Sequence, residues 1–504
     1  MDGDEIELKL ALPPQGLERL RRHPLVRVHT QGRPVTRPLT SIYYDTPDFA
    51  LARAGVTVRV RVVGRRNVQT VKARGRRAAG LFARREWEAP VASRTVDVPM
   101  LRATGVPVLV EGDTAERLAP IFRTEIRRTA RLLAGDGWRL ELALDHGTVR
   151  AGERSEEICE VELELLEGTP GDLFALARTI VAAVPARLTT LSKSDRGYSL
   201  ATGRPPAPVK ARPVVVGTGM TVAQGFQTVA RNCLEHLLSN EASLLAGDGE
   251  AIHQMRVALR RLRSAIKVFR RVVTGPQLDE MSGQIRWLLD HLGPARDGDV
   301  FLAEIVEPVV ARYPGNPALV ALRGRWRDVH DDAVAAAVAA VADRRFTEAL
   351  LAAGAWVEAG DWLGGDRDVL DARLGPFAAA VLSKRHRRLL KAGGRRLAAL
   401  GASDLHRVRI LGKQMRYAAE FFAPLYPGKA TRSFAAALAE LQDILGALND
   451  IAVAEPRLVA GQLDGDQAWA AGVVAGWHEA RRPALLETAE AAWKRFRKLE
   501  PFWG

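Results

Sequence analysis

The chain has 504 residues, enough for two or more domains that each bury a core. Its 47% hydrophobic and 26% charged residues exclude a disordered polymer, and the net charge of +14 directs attention to polyanions: nucleic acid, acidic lipid or phosphate polymer. Cys159 and Cys233 provide neither a disulfide framework nor a cysteine metal site, and the most apolar run, 333–342, is too short to span a membrane. The acidic start, MDGDEIELKL, lacks an apolar signal core, so a cytoplasmic protein is expected.

Residues 1–200 alternate apolar and polar at period two, the pattern of half-buried antiparallel strands. In Glu5-Ile-Glu7-Leu-Lys9-Leu the three charged residues share one strand face. The same reading aligns Arg59 with Arg61, Thr70 with Lys72, Arg84 with Glu86 and Glu88, and Arg139 with Glu141 and Asp145; Glu160, Glu162 and Glu164 form a further row. Any one of these rows suits a solvated outer face. Together they segregate, carboxylates on some strands and cations on others, and closing the sheet with these faces inward gives a wet tunnel. Carboxylate rows suit Mg²⁺ or Mn²⁺, and Arg and Lys rows grip phosphate, a combination fit for metal-assisted phosphoryl chemistry.

This region resembles the CYTH superfamily, the triphosphate tunnel metalloenzymes. The matching pieces run in family order: Glu5-x-Glu7-x-Lys9, Tyr43-Tyr-Asp-Thr-Pro-Asp, Arg59-x-Arg61, Thr70-x-Lys72, Arg84-x-Glu86-x-Glu88, Phe122-Arg-Thr with Arg127, Glu141-Leu-Ala-Leu-Asp145, Glu160-Val-Glu-Leu-Glu-Leu and Lys193-Ser-x-Arg-Gly-Tyr198. The resemblance implies an eight-stranded antiparallel β tunnel with flanking helices. It makes Glu5, Glu7, Lys9, Glu162 and Glu164 catalytic, and Glu5, Glu7, Glu86, Glu88, Glu141, Asp145, Glu162 and Glu164 the pool of metal ligands. Lys9, Arg59, Arg61, Lys72, Arg84, Arg127 and Lys193 would hold the substrate.

Residues 203–217 are rich in Pro and basic residues and read as a linker between a 1–202 α+β domain and a 218–504 all-α domain. The α domain contains one basic helix twice, at an offset of 153 residues. His253, Arg256, Arg260, Arg263 and Lys267 recur as His406, Arg409, Lys413, Arg416 and, breaking the pattern, Glu420. Each copy is followed by a Leu-Gly segment, Leu292-Gly-Pro-Ala-Arg-Asp297 and Leu445-Gly-Ala-Leu-Asn-Asp450. The repeat implies a duplicated four-helix bundle, about 218–350 and 372–500. Cations at steps of three and four line one helical face, where their mutual repulsion calls for an anionic partner. Apolar residues rather than aromatics lie between them, which disfavours base stacking and leaves nucleic acid the weaker candidate.

These helices resemble the CHAD domain, which implies binding of inorganic polyphosphate through His253, Arg256, Arg260, Arg263, Lys267, His406, Arg409, Lys413 and Arg416. The combined expectation is a Mg²⁺- or Mn²⁺-dependent inorganic triphosphatase tethered to a polyphosphate-binding module, located in the cytoplasm at polyphosphate granules. The alternatives are a non-catalytic polyphosphate scaffold, an adenylate cyclase, or a hydrolase of another organic triphosphate.

Overall fold

A computed structural model describes residues 5–64, 66–73, 76–78, 81–84, 86–459 and 463–504, without side chains at 5, 76–78 and 81–84. The strands are β1 (Glu5–Ala11), β2 (Thr30–Asp45), β3 (Val56–Val63), β4 (Arg66–Ala73), β5 (Arg76–Ala78), β6 (Leu81–Arg84), β7 (Glu86–Val91), β8 (Ala119–Gly135), β9 (Trp138–Ala151), β10 (Arg154–Glu167) and β11 (Arg187–Leu188). They form one antiparallel sheet in the order β5-β6-β1-β10-β9-β8-β2-β3-β4-β7, with β11 beside β1. Eight of the described strands have six or more residues, as the tunnel reading expects; β5, β6 and β11 are short additions.

The sheet is strongly curled. Lys72 on β4 and Glu164 on β10 are five strand spacings apart, about 24 Å if the sheet were flat. Their charges nevertheless act on one another, because Lys72 lowers the pKa of Glu164. The two must therefore face each other across the concave side. The convex side is covered by apolar packing. Val58, Val60 and Val71 lie under Leu51, Leu101 and Leu109 of three short helices, and the helix Pro170–Ala183 packs on β1 and β10. Both faces of the sheet are thus largely buried, one against helices and one against its own charges.

From Val222 onward the described chain is helical. The first repeat contains Val222–Leu238, Glu250–Val268, Gln277–Val300 and Pro317–Ala342. The second contains Leu374–Gly393, Ala402–Phe422, Lys429–Leu458, Gly465–Glu479 and Arg482–Phe496. The long helix Pro317–Ala342 corresponds to the last two together, split where Pro483 removes a backbone donor. The repeats meet at equivalent points. Thr221 bridges Arg373 at the two starts, and Phe269 touches its mate Phe422 with ring centroids 5.9 Å apart. Equivalent residues in contact mark an approximate two-fold axis.

By contacts the chain divides into two compact units, and these do not follow the 203–217 linker. One is 1–209 with 234–251 and 342–360; the other is 210–233, 252–341 and 361–504. The helix Arg344–Ala359 joins the sheet unit because it packs on Pro170–Ala183, with Gly354 seated against Phe174 where a Cβ would come within 2.3 Å of the ring. No described helix is long and apolar enough to cross a membrane.

Candidate functional site

Strand register assembles the concave face of the sheet. Glu7, Glu164 and Glu141 stand side by side on β1, β10 and β9. One step along, Lys9 faces Glu162; on β10, β9 and β8, Glu160, Asp145 and Arg128 form a third row. On the other wall Tyr43, Arg59, Thr70 and Glu88 align across β2, β3, β4 and β7, and Lys72 faces Glu86.

The carboxylate oxygens of Asp145, Glu160 and Glu162 lie within 4.8 Å of one another. Three cations match them. Lys193 reaches Glu160 at 2.5 Å, Asp145 at 2.7 Å and Glu162 at 2.9 Å. Arg128 donates to Asp145 at 2.6 and 2.8 Å and also to Glu162, and Lys9 donates to Glu162 and lies 3.3 Å from Glu7. Burial alone would raise the Glu162 pKa, but Lys193, Lys9 and Arg128 hold it well below the usual carboxylate range. Asp145 is lowered against burial by Lys193 and Arg128. This cluster is internally neutral.

The neighbouring row is not. Among the described residues neither Glu141 nor Glu164 has a hydrogen bond or ion pair, and the Glu164 carboxyl is pushed up by burial and then by Glu141 and Glu7. Uncompensated carboxylates of this kind suit a hard divalent cation, which takes oxygen ligands. On the opposite wall the imbalance is positive. Arg61 has a buried Nε without a hydrogen-bond partner, and Arg59, burial and Arg128 lower its pKa to about 10. Tyr43 is lowered against burial by Arg59, Arg61 and Lys193. The concave face therefore carries unmet negative charge at one place and unmet positive charge at another.

Lys193 is held by the docking of its helix, Lys193–Thr202. Ser192 and Asp195 form a capping box at the helix start. The Tyr198 hydroxyl donates to buried Asp45 at 2.9 Å, and Phe122 packs edge-on against Tyr198. Gly197 makes room for that ring, since a Cβ there would sit 2.1 Å from it.

In the helical unit the two basic helices converge across the approximate axis. Lys413 on Ala402–Phe422 is lowered to about 8 by burial, by Arg409 on its own helix and by Arg260 on the other. Arg409 is lowered by burial and Arg260, which Asp450 and Asp297 partly offset. The cations of both repeats therefore share a single electrostatic field. Glu420, at the position equivalent to Lys267, neutralises the buried Arg261 at 2.7 Å.

The CHAD domain family model matches residues 228–459 and the CYTH domain family model residues 3–198. The solved CHAD domain of the plant Ricinus communis is 33% identical, covers 58% of this chain and 98% of its own, and superposes with a TM-score of 0.51. This chain is a CYTH domain followed by a CHAD domain. Over the CYTH domain it is 32% identical across 197 residues to an inorganic triphosphatase of Haemophilus influenzae, covering 39% of this chain and 54% of that protein. An uncharacterized protein of Mycobacterium tuberculosis is 26% identical over 283 residues, covering 53% of this chain and 52% of its own. The chain thus spans about half the length of these curated relatives.

Within the CYTH domain the structure gathers Glu7, Lys9, Arg59, Arg61, Lys72, Glu86, Glu141, Asp145, Glu162, Glu164 and Lys193 on the concave face. The side chains of Glu5 and Arg84 lie outside the described residues, although β1–β6 pairing sets their backbones opposite one another. Arg127, expected to hold substrate, is exposed on the convex side, and its neighbour Arg128 takes the inward position. The sequence obscured this because the inward face of β8 is apolar at Phe122 and Ile126 and becomes charged only at Arg128. Glu160 was missed as well, though its alternation with Glu162 and Glu164 signalled it. Glu86 is engaged by Lys72 at 2.7 Å and Arg59 at 3.4 Å, and Glu88 accepts a hydrogen bond from the Thr70 hydroxyl at 3.0 Å.

Within the CHAD domain Arg260, Arg263, Lys267, Arg409, Lys413 and Arg416 remain without a carboxylate partner among the described residues. Arg256 does not. It is 5% exposed and bonds Gly293 O and the Asp297 carboxylate, the latter at 2.9 Å, which makes it a pin for the Leu-Gly segment and corrects its expected role on the anion face. His253 is half-buried on its helix, and His406 is exposed and hydrogen-bonded to Asn449 at 2.7 Å.

Proposed function

We propose that the CYTH domain is a metal-dependent triphosphatase that cleaves inorganic triphosphate to diphosphate and phosphate, and that the CHAD domain binds inorganic polyphosphate. One observation carries the first part. The concave face sets Glu141 and Glu164, which have no ion pair among the described residues, against Arg61, whose buried Nε has no hydrogen-bond partner, and a metal bound with triphosphate would complete both. The identity to an inorganic triphosphatase supports the choice of substrate.

In this reading Glu141 and Glu164, with Glu7 beside them, would hold Mg²⁺ or Mn²⁺, and the bound ion would supply neutralisation of triphosphate charge and a more acidic water. Arg59, Arg61 and Lys72 orient one end of the triphosphate from β3 and β4, and Lys9, Arg128 and Lys193 meet the other end from β1, β8 and the docked helix. The Asp145–Glu160–Glu162 cluster positions those three cations before substrate arrives, so little reorganisation is left for the reaction itself. The Tyr43 hydroxyl beside Arg59 offers a further polar contact to phosphate oxygen. For the CHAD domain, polyphosphate supplies the negative charge that the field of Arg260, Arg409, Lys413 and Arg416 lacks.

The test is phosphate release from triphosphate, long-chain polyphosphate and ATP, with Mg²⁺ or Mn²⁺, by wild type and Glu162→Gln. Metal-dependent release from triphosphate, reduced at least about a hundredfold in the variant, is expected. Release from none of the three substrates would overturn the reading in favour of a binding protein, and preferential cleavage of ATP would overturn the choice of substrate.

A further inference from the structure

The two repeats are not equivalent in charge. The helix Leu374–Gly393 carries Lys384, Arg385, Arg387 and Arg388, whereas its counterpart in the first repeat has Arg231, Asn232, Leu234 and Glu235 at those positions. Arg270 and Arg271, just beyond the first basic helix, correspond to Ala423 and Pro424. The first repeat keeps a cation only at the Lys384 position, as Arg231, so the cluster as a whole is unduplicated; a bundle that folds there without Arg385, Arg387 and Arg388, and in the second repeat without Arg270 and Arg271, does not need those cations for its core. None of the six has a carboxylate partner among the described residues, and all but Arg385 are exposed.

They are also close together. Arg385 is half-buried and donates to Gln414, which lies on the second basic helix between Lys413 and Arg416, at 3.4 Å. Lys267 is lowered by burial, Arg263 and Arg385, and Lys384 by Arg388, burial, Arg271 and Arg270. The first basic helix therefore meets Arg409 and Lys413 at Arg260 and the unduplicated cluster at Lys267, about 10 Å farther along its axis. A long chain can contact the cations at both ends and between them at once, whereas a triphosphate has too few phosphates to meet more than a part of them.

We propose that the anion site of the CHAD domain extends from the duplicated helices onto the unduplicated cluster of Lys384, Arg385, Arg387, Arg388, Arg270 and Arg271, forming one track for long linear polyphosphate that discriminates against short chains. This rests on the reading of the CHAD domain as a polyphosphate binder. Polyphosphate fits better than RNA because no exposed aromatic side chain lies within the added segments 384–388 and 270–271, which present guanidinium and ammonium groups alone. Each added contact displaces a counterion from the polymer, so chain length and salt sensitivity rise together.

The experiment uses the full chain with divalent metal chelated. Affinity for long-chain polyphosphate and for triphosphate is measured across a salt series for wild type, Lys384→Ala/Arg388→Ala and Arg409→Ala/Arg416→Ala. The first variant changes two exposed side chains, and its fold is checked by circular dichroism. It is expected to weaken long-chain binding about tenfold and to flatten the salt slope by about two, leaving triphosphate binding unchanged. The second variant is expected to weaken the long chain as well. Long-chain binding unchanged in Lys384→Ala/Arg388→Ala while Arg409→Ala/Arg416→Ala loses it would overturn the extension and leave the core reading standing. Absence of polyphosphate binding by wild type would overturn both. An RNA oligonucleotide whose binding depends on Lys384 and Arg388 when that of polyphosphate does not would overturn the choice of ligand.

Discussion

Glu162 and Glu164 are two residues apart on one strand, yet their carboxyls titrate in opposite directions. Three cations stabilise the charged form of Glu162, whereas burial and two carboxylates destabilise that of Glu164. Because its folded pKa is depressed, Glu162 contributes stability that is present above the ordinary carboxylate range and is lost as pH falls through the folded value. Removing this partner strands buried cations. Glu162→Gln is expected to cost about 3–5 kcal/mol in thermal unfolding, and an unchanged melting temperature would mean that the network contributes little. Lys413 shows the reverse sign. Its folded pKa of about 8 lies below the ordinary 10.5, so its charge is present below about pH 8 and lost above it. The free protein gains stability from this group as pH rises between those values, while the bound polyanion favours the charged amine. Polyphosphate affinity is therefore expected to fall about tenfold or more between pH 7 and 10, with uptake of a proton on binding. Arg260, Arg409, Arg416 and Asp450 face this amine; Lys413→Arg should flatten the profile, and an equally steep one would assign the effect elsewhere.

At the scale of elements, the helix Lys193–Thr202 is the piece whose placement decides whether the site is assembled. A methyl group at Gly197 would collide with the Phe122 ring, so Gly197→Ala is expected to destabilise the CYTH domain by about 1–3 kcal/mol and to lower triphosphate turnover more than metal affinity. Wild-type turnover in a variant that melts early would show that Lys193 needs no fixed helix. The strands were legible in the sequence because alternation is strict where one face is charged and the other apolar, as in β1 and β10. It gave no guide at β8, a 17-residue strand whose inward face changes character along its length, where the family resemblance put forward Arg127 and the inward residue is Arg128. Charge patterning placed Arg256 on the anion face because helical spacing cannot tell a solvent-facing arginine from one drawn into carbonyls by a neighbouring helix.

At the scale of the molecule, the duplication explains why cations of two helices converge. A near two-fold axis through Phe269 and Phe422 brings the same charged face from each repeat to the same place, and the departures from symmetry fall where neutralisation or extension is needed. Glu420 silences Arg261, and the Lys384–Arg388 segment lengthens the basic surface. The repeat and the linker composition were readable from sequence. The membership of 234–251 and 342–360 in the sheet unit was not, because it depends on packing such as Phe174 against Gly354 that no local pattern encodes.

In the proposed reaction the carboxylates of Glu141 and Glu164, without cation partners on their wall, would hold the metal for triphosphate cleavage. The most direct measurement is triphosphate turnover against Mg²⁺ or Mn²⁺ concentration for wild type, Glu164→Gln and Glu162→Gln. Glu164→Gln is expected to raise the metal requirement at least about tenfold and to regain activity at high metal, whereas Glu162→Gln stays impaired at every concentration. An unchanged metal requirement in Glu164→Gln, or rescue of Glu162→Gln by metal alone, would contradict that reading.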